Sequence, residues 1–178
     1  MSENEVLTAA KMEADRIARF DKMTPNSQMF VDTDLPGHAR DMFSVIGPGV
    51  SEDPNTRPTI AESSDFNIAY VGAEPGNGAA LHDHKSVEVF IPFSGQWTIY
   101  WGDDGEHEIE LGPMDCISIP PGVMRGFRNS GSEYAHLCGI VGGSDNGKVS
   151  WADSVLEKAR ANGLRLDEDG NLIVDAAE

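Results

Sequence analysis

Two histidines and a glutamate lie close together near the middle of the chain, at His82, His84 and Glu88, and glycines flank the segment. In an extended strand alternate side chains point to opposite faces, so these three residues would project from one face. Two imidazoles and a carboxylate suit iron, manganese, nickel or zinc and suit magnesium or calcium poorly. The segment therefore predicts a site for one divalent transition metal, and iron is the metal we favour.

The alternative is a polar cluster whose members satisfy one another by hydrogen bonds. Burying three such groups without a cation costs on the order of several kcal/mol unless each of them is paired. A bound metal removes that cost, so the residue types favour the metal site, with the hydrogen-bonded cluster kept as the alternative.

Short stretches rich in β-forming residues must position these side chains. The predicted strands cover residues 66–71, 86–91, 97–101, 106–111, 116–119, 125–128 and 134–141. Turns rich in Pro, Gly, Asp and Asn separate them at close and regular spacing. This pattern is typical of an all-β sandwich or barrel.

Two groups of residues in this region resemble the two sequence motifs of the cupin superfamily. The first motif is filled at every defining position, by Gly76, His82, His84, Glu88 and Gly95. The second motif is matched at Pro120, Gly122 and Asn129. It departs from the pattern at two positions, with Met114 where a glycine is usual and Arg125 where cupins usually supply a third metal-binding histidine.

The resemblance implies a double-stranded β-helix, or jelly roll, and a metal held by the histidines and the glutamate. It selects no reaction, because cupins include dioxygenases, isomerases, decarboxylases, storage proteins and sensors. A guanidinium stays protonated and cannot ligate a metal, so Arg125 has three interpretations. It anchors a substrate carboxylate, it forms an ion pair with Glu88, in which case the metal site is defunct, or it points to solvent. We favour the carboxylate anchor.

A replacement for the third histidine can be sought from strand register. If the turn after Asn129 joins residues 125–128 and 133–140 as a hairpin, Arg125 faces His136 directly across the ladder. Since the position of Arg125 is inward in the family, His136 would be inward too. We therefore name His136 as a tentative metal ligand, although a slip of one residue in the register would reverse this conclusion.

The ends of the chain differ in character from the central region. Residues 1–65 predict an amphipathic helix over about 5–22 and short lead-in strands at 29–31 and 42–46. Residues 66–142 predict the barrel core, and residues 143–178 predict a helix over 151–163 followed by a hairpin. We expect one domain with helical extensions at both ends.

The bulk composition restricts the partners. The chain has 178 residues, with 13 basic and 30 acidic side chains and a formal charge of −17. This charge argues against nucleic acid and anionic membranes as partners. Two cysteines and the lack of a leader or apolar span predict a cytoplasmic protein, and cupin barrels commonly pair, so we expect a homodimer.

These observations favour a metal-dependent, dioxygenase-type enzyme that oxidises a small organic acid or phenolic compound, with Arg125 as the anchor of an anionic substrate. A metal-dependent isomerase or decarboxylase is the nearest alternative. A non-catalytic cupin that binds a small anionic ligand is a third hypothesis, of a different class.

Overall fold

In the computed structural model, which describes residues 7–143 and 148–175, two antiparallel sheets of five strands form a jelly roll with short helices near both ends. Helix α1 spans Ala9–Arg16, and the Thr8 hydroxyl accepts the Lys11 N–H at its N-terminus. A 3₁₀ turn follows at Phe20–Lys22. The helix predicted over 5–22, whose first two residues lie outside the described residues, ends earlier because Ile17 has an extended backbone.

Ten strands form the two sheets. They are β1 Asp41–Ile46, β2 Phe66–Ala73, β3 Gly78–Asp83, β4 Glu88–Pro92, β5 Trp97–Trp101, β6 His107–Leu111, β7 Ile117–Ile119, β8 Arg125–Asn129, β9 Ala135–Gly142 and β10 Ser150–Trp151. The first sheet has the order β1-β2-β9-β4-β7 and the second has the order β10-β3-β8-β5-β6. The predicted all-β jelly roll is confirmed, and β3 and β10 are the strands that the sequence analysis did not identify.

The predicted hairpin between the strands at 125–128 and 133–140 is wrong. Strand β8 lies in the second sheet, where Arg125 pairs with His82 of β3 and with Trp101 of β5. Strand β9 lies in the first sheet, between β2 and β4. The link between β8 and β9 crosses from one sheet to the other, and the buried Asn129 fixes its start by donating to the carbonyls of Ala73 and Glu133.

His136 consequently does not face Arg125. Its neighbours in β9, Ala135 and Leu137, point into the core between the sheets, so His136 points outwards. Its ring lies 5.1 Å from the Phe20 ring and 5.2 Å from the Tyr134 ring, measured between centroids. The expectation that His136 is a metal ligand is therefore corrected to a position in an aromatic cluster on the outer face of the first sheet.

Apolar side chains fill the space between the sheets, where alternate residues of each strand point inward. The largest members of this core are Phe90, Trp97, Ile99, Leu111, Ile119, Phe127 and Leu137. A second cluster joins the two ends of the chain to β3. It contains Met29, Phe30, Val31, Leu35, Ala80, Trp151, Val155, Ala159 and Leu164.

The C-terminal helix and hairpin are present, but the helix predicted over 151–163 begins later because Trp151 in β10 pairs with His82. Helix α2 spans Asp153–Ala161, and β11 Leu164–Leu166 pairs with β12 Leu172–Val174. Residues 29–31, predicted as a strand, instead enter a buried turn, because the Val31 N–H donates to the Glu52 carboxylate and not to a neighbouring strand. Within 7–143 and 148–175, no helix is long and apolar enough to cross a membrane.

Candidate metal centre

The two histidines and the glutamate of the first motif meet inside the jelly roll. His82 lies in β3 of the second sheet, His84 follows the end of that strand, and Glu88 is the first residue of β4 in the first sheet. All three are buried, and one ligand atom from each lies within 4.8 Å of the others. They meet because the chain crosses between the sheets at residues 84–87, and not, as predicted, because they share one face of a single strand.

His82 is held in one tautomer. Its Nδ1 lies 2.7 Å from the Ala80 carbonyl oxygen, which can only accept, so Nδ1 carries the hydrogen and Nε2 carries the lone pair. The Nε2 atom lies 4.0 Å from Glu88 Oε2. A carbonyl acceptor on one ring nitrogen is the usual support of a histidine that binds a metal through the other.

The His84 ring has a buried nitrogen that makes no hydrogen bond to the described residues. Its Nδ1 is buried without a hydrogen-bond partner among the described residues, and its Nε2 lies 3.7 Å from Glu88 Oε2. Burial, together with the positive charge of Arg125, lowers the pKa of His84 to about 3. The ring is therefore neutral near pH 7, which is the form that ligates a metal.

Arg125 forms an ion pair with Glu88, which is the second of its three interpretations and the one that argues against a metal site. Its Nε and Nη2 both donate to Glu88 Oε2, at 2.9 and 2.7 Å, and its Nη1 donates to the Val123 carbonyl at 3.2 Å. The side chain is completely buried, so the solvent-exposed interpretation is excluded. Burial raises the pKa of Glu88 and the guanidinium opposes that shift, while its charge-assisted hydrogen bonds favour the carboxylate.

The distances from Glu88 to the two histidines are compatible with one shared metal ion. Two ligand atoms on one ion with bonds of about 2.1 Å can be no more than ~4.2 Å apart. Both distances from Glu88 Oε2 to the imidazole Nε2 atoms, 3.7 and 4.0 Å, are below that limit. The buried His-His-Glu group could therefore bind a metal ion, and its donors are those preferred by iron, manganese, nickel and zinc.

A largely apolar pocket of about 70 Å³ adjoins this group. The side chains of His82, His84 and Glu88 form part of its wall. The apolar part includes Met29, Phe30, Met42, Phe90, Phe127, Val149 and Trp151. This volume exceeds the ~10–15 Å³ that one water requires, so the pocket has room for a small ligand.

Sequence reasoning identified the polar part of this site but missed part of its wall. Phe90 and Phe127 lie in predicted strands beside the motifs, whereas Met29 and Phe30 come from a segment more than fifty residues upstream. Trp151 pairs with His82 across β10 and β3, with the two rings 5.3 Å apart. No local pattern marks these residues as pocket residues, because the pairing that brings them there is a tertiary contact.

The fold and the site together define a jelly roll that carries a candidate metal-binding group between its sheets. In agreement with this, the cupin domain family, Cupin_2, matches residues 69–141. This chain therefore contains a cupin domain with the double-stranded β-helix fold, as the two motifs predict.

One curated relative is a germin-like protein, subfamily 1 member 2, from Arabidopsis thaliana. It is 21% identical to this chain over 140 residues, which are 75% of this chain and 60% of the relative. The chain thus spans less than two thirds of that relative's length.

Solved structures share the fold at low sequence identity. The polyketide cyclase RemF from Streptomyces resistomycificus has a TM-score of 0.56 and 15% identity, covering 76% of this chain and 83% of its own. A cupin 2 domain-containing protein from Halorhodospira halophila has a TM-score of 0.52 and 22% identity, covering 68% and 77%. The cupin domain of Cnp3 from Schizosaccharomyces pombe has a TM-score of 0.51 and 12% identity, covering 82% and 80%.

Proposed function

We propose that this chain is a metal-dependent cupin enzyme that oxidises a small phenolic or other aromatic compound in a dioxygenase-type reaction. His82, His84 and Glu88 would hold the metal, with iron(II) as the first candidate. The observation that carries the proposal is that these three buried side chains converge on the wall of a largely apolar pocket. A two-histidine, one-carboxylate set with open positions is the donor set of non-haem iron(II) oxygenases.

Each residue of the centre has a distinct role in this proposal. His82 presents Nε2 because its Nδ1 hydrogen is engaged by the Ala80 carbonyl. Glu88 is held in place by the two donors of Arg125. A bound divalent metal would supply Lewis-acid polarisation, and iron would also supply redox activation. The apolar wall lowers the local dielectric constant, which strengthens the electrostatic interactions within the pocket.

The pocket favours a substrate that is mostly apolar. Arg125 is engaged by Glu88 and by a backbone carbonyl, and it is absent from the pocket lining, so the structure gives no support to its expected role as a carboxylate anchor. Arg40, which does line the pocket, forms two hydrogen bonds to Asp32, at 2.8 and 3.0 Å. Because both buried arginines are paired, we favour the phenolic compound over the organic acid.

A second candidate function is non-catalytic binding of a small ligand. The Glu88–Arg125 pair favours it, because it compensates the buried carboxylate without any metal. The fold does not choose between the two functions or between reactions, since a polyketide cyclase shares it. A metal-dependent isomerase or decarboxylase would use the same three side chains.

Oxygen uptake separates these candidates. Protein loaded anaerobically with iron(II) would be mixed with catechol, phenol or benzoate, and oxygen consumption would be followed with an electrode. The proposal expects uptake with a phenolic compound that His84→Ala abolishes. Turnover of a compound without oxygen uptake would favour the isomerase or decarboxylase, and ligand-dependent thermal stabilisation without turnover would favour the binding protein.

A further inference from the structure

Arg125 lies where it can change the charge of the candidate metal centre. It lies in β8 of the second sheet, directly opposite His82 of β3, and its side chain is 0% exposed. Both donors on one side of its guanidinium point at Glu88 Oε2, and Nη1 is engaged by Val123. The guanidinium thus contacts a ligand residue of the proposed metal directly.

The charged residues that line the pocket are each paired before a metal binds. In the part of the chain that the structure describes, they form two buried ion pairs, Glu88–Arg125 and Asp32–Arg40. Imidazole ligates a metal in its neutral form, so His82 and His84 add no charge. The third buried acid, Glu52, lies behind Trp151, and because burial raises its pKa to about 7 it carries only part of one negative charge near neutral pH. A divalent cation would therefore bring two positive charges into an apolar site that has too little negative charge to compensate them.

Uncompensated charge in a low-dielectric pocket is costly and attracts a counter-charge strongly. We propose that Arg125 is a positioning residue that shares the Glu88 carboxylate with the metal, and that the resulting positive centre selects a small apolar ligand carrying an anionic oxygen. A phenolate, an enolate and a carboxylate offer the same donor chemistry. The inference rests on the proposed function, because it needs a metal at His82, His84 and Glu88.

Removing the charge of Arg125 should change the affinity for the metal and the affinity for an anion in opposite directions. Replacing Arg125 by the uncharged methionine would leave the whole carboxylate of Glu88 to the metal and would remove one positive charge. Arg125→Met should therefore bind a divalent metal more tightly than the wild type and bind an anion at that metal more weakly. Arg125→Lys, which keeps the charge, serves as the matched control and should retain the anion affinity.

Cobalt(II) provides a readout independent of turnover, because its visible absorption changes when a ligand of the metal changes. Wild type, Arg125→Met and Arg125→Lys would be titrated with cobalt(II), and each loaded protein would then be titrated with azide at one pH. We expect the methionine variant to bind azide at least ~10-fold more weakly than the wild type and cobalt at least ~10-fold more tightly. Equal azide affinities in the two proteins would overturn the inference.

A comparison within the wild type covers the case in which Arg125→Met does not fold. Cobalt-loaded wild type would be titrated with benzoate and with benzamide, which have similar shapes and differ in charge. Benzoate should bind at least ~10-fold more tightly, and equal binding of the two would refute the inference by itself. Catechol, titrated in parallel, distinguishes a phenolate from a carboxylate as the preferred donor. A wild type that binds no cobalt refutes the proposed function and this inference with it.

Discussion

Glu52 is a buried acid whose ionisation should be visible in the pH dependence of stability. Its two carboxyl oxygens accept hydrogen bonds from the Val31 N–H and from Trp151 Nε1, both at 2.6 Å. Burial raises the pKa of Glu52 from 4.5 to about 7, against the opposing effect of the two hydrogen bonds. Because Trp151 pairs with His82, the charge of Glu52 is also adjacent to the wall of the pocket.

The sign of the effect follows from the raised pKa. The folded protein keeps the Glu52 proton to a higher pH than the unfolded chain does, so the stability associated with this proton is fully present below pH 4.5 and is lost as the pH rises to about 7. At 1.4 kcal/mol for each pH unit between the two pKa values, the loss amounts to ~3 kcal/mol.

Urea denaturation of the wild type and Glu52→Gln between pH 4.5 and 8 measures this loss. Glutamine is uncharged throughout, so the difference in free energy of unfolding between the two proteins isolates Glu52 from other titrating groups, such as the partly buried His38. One of the two N–H donors loses its acceptor in the variant, which costs ~1–3 kcal/mol at low pH. By pH 8 the variant should have gained ~3 kcal/mol relative to the wild type.

Glu157→Gln, on the exposed face of α2, controls for the change in net charge, and its stability should run parallel to that of the wild type. The reasoning fails if the difference between wild type and Glu52→Gln stays constant within about 0.5 kcal/mol over the whole pH range, since a pKa near 7 requires a change several times larger.

Three further predictions concern the backbone of the jelly roll and its outer face. Met114 is 80% exposed and has a positive φ of 72°, and Gly76 has a φ of 80°. In urea denaturation, Met114→Gly should therefore raise the free energy of unfolding by up to ~1 kcal/mol, and Gly76→Ala should lower it by a similar amount. A destabilised Met114→Gly would contradict the strain argument. Gly78→Ala would place a Cβ 1.9 Å from the Phe127 carbonyl oxygen, so it should cost more than ~2 kcal/mol, and a loss below ~1 kcal/mol would show that β3 and β8 can separate there. Phe20 and Phe93 are each 47% exposed beside the Tyr70 ring on the outer face of the first sheet. The double variant Phe20→Ser, Phe93→Ser should therefore convert the expected homodimer to a monomer, as measured by light scattering. A monomeric wild type would contradict the dimer prediction.

The sequence sufficed for those parts of the fold that depend on local pattern. Short runs of β-forming residues between turns located β2 and β4–β9, and the spacing of His82, His84 and Glu88 identified the polar part of the site. Met114 illustrates the same point at a single position, because the structure gives it the left-handed backbone that suits the glycine usual in the motif.

The predictions that failed depended on which strands pair. A short turn between two strands favours a hairpin, and that assumption placed His136 opposite Arg125. In a jelly roll neighbouring strands of the sequence can belong to different sheets, and here β8 and β9 do. The ion pair between Arg125 and Glu88 joins residues 37 positions apart on opposite sheets, so only the assembled sheets could decide among the interpretations of Arg125.

Metal binding is the most direct test of the central claim. Protein purified without an affinity tag would be stripped with a chelator and titrated with iron(II), manganese(II), nickel(II) and zinc(II) by anaerobic calorimetry, with elemental analysis of the product. His84→Ala removes a proposed ligand, and His136→Ala, on the outer face of the sheet, is the matched control. We predict close to one metal ion per chain in the wild type and in His136→Ala, and a loss of at least ~100-fold in affinity in His84→Ala. A wild type that takes up none of the four metals, or a His84→Ala variant that binds them as tightly as the wild type, would contradict this account of the site.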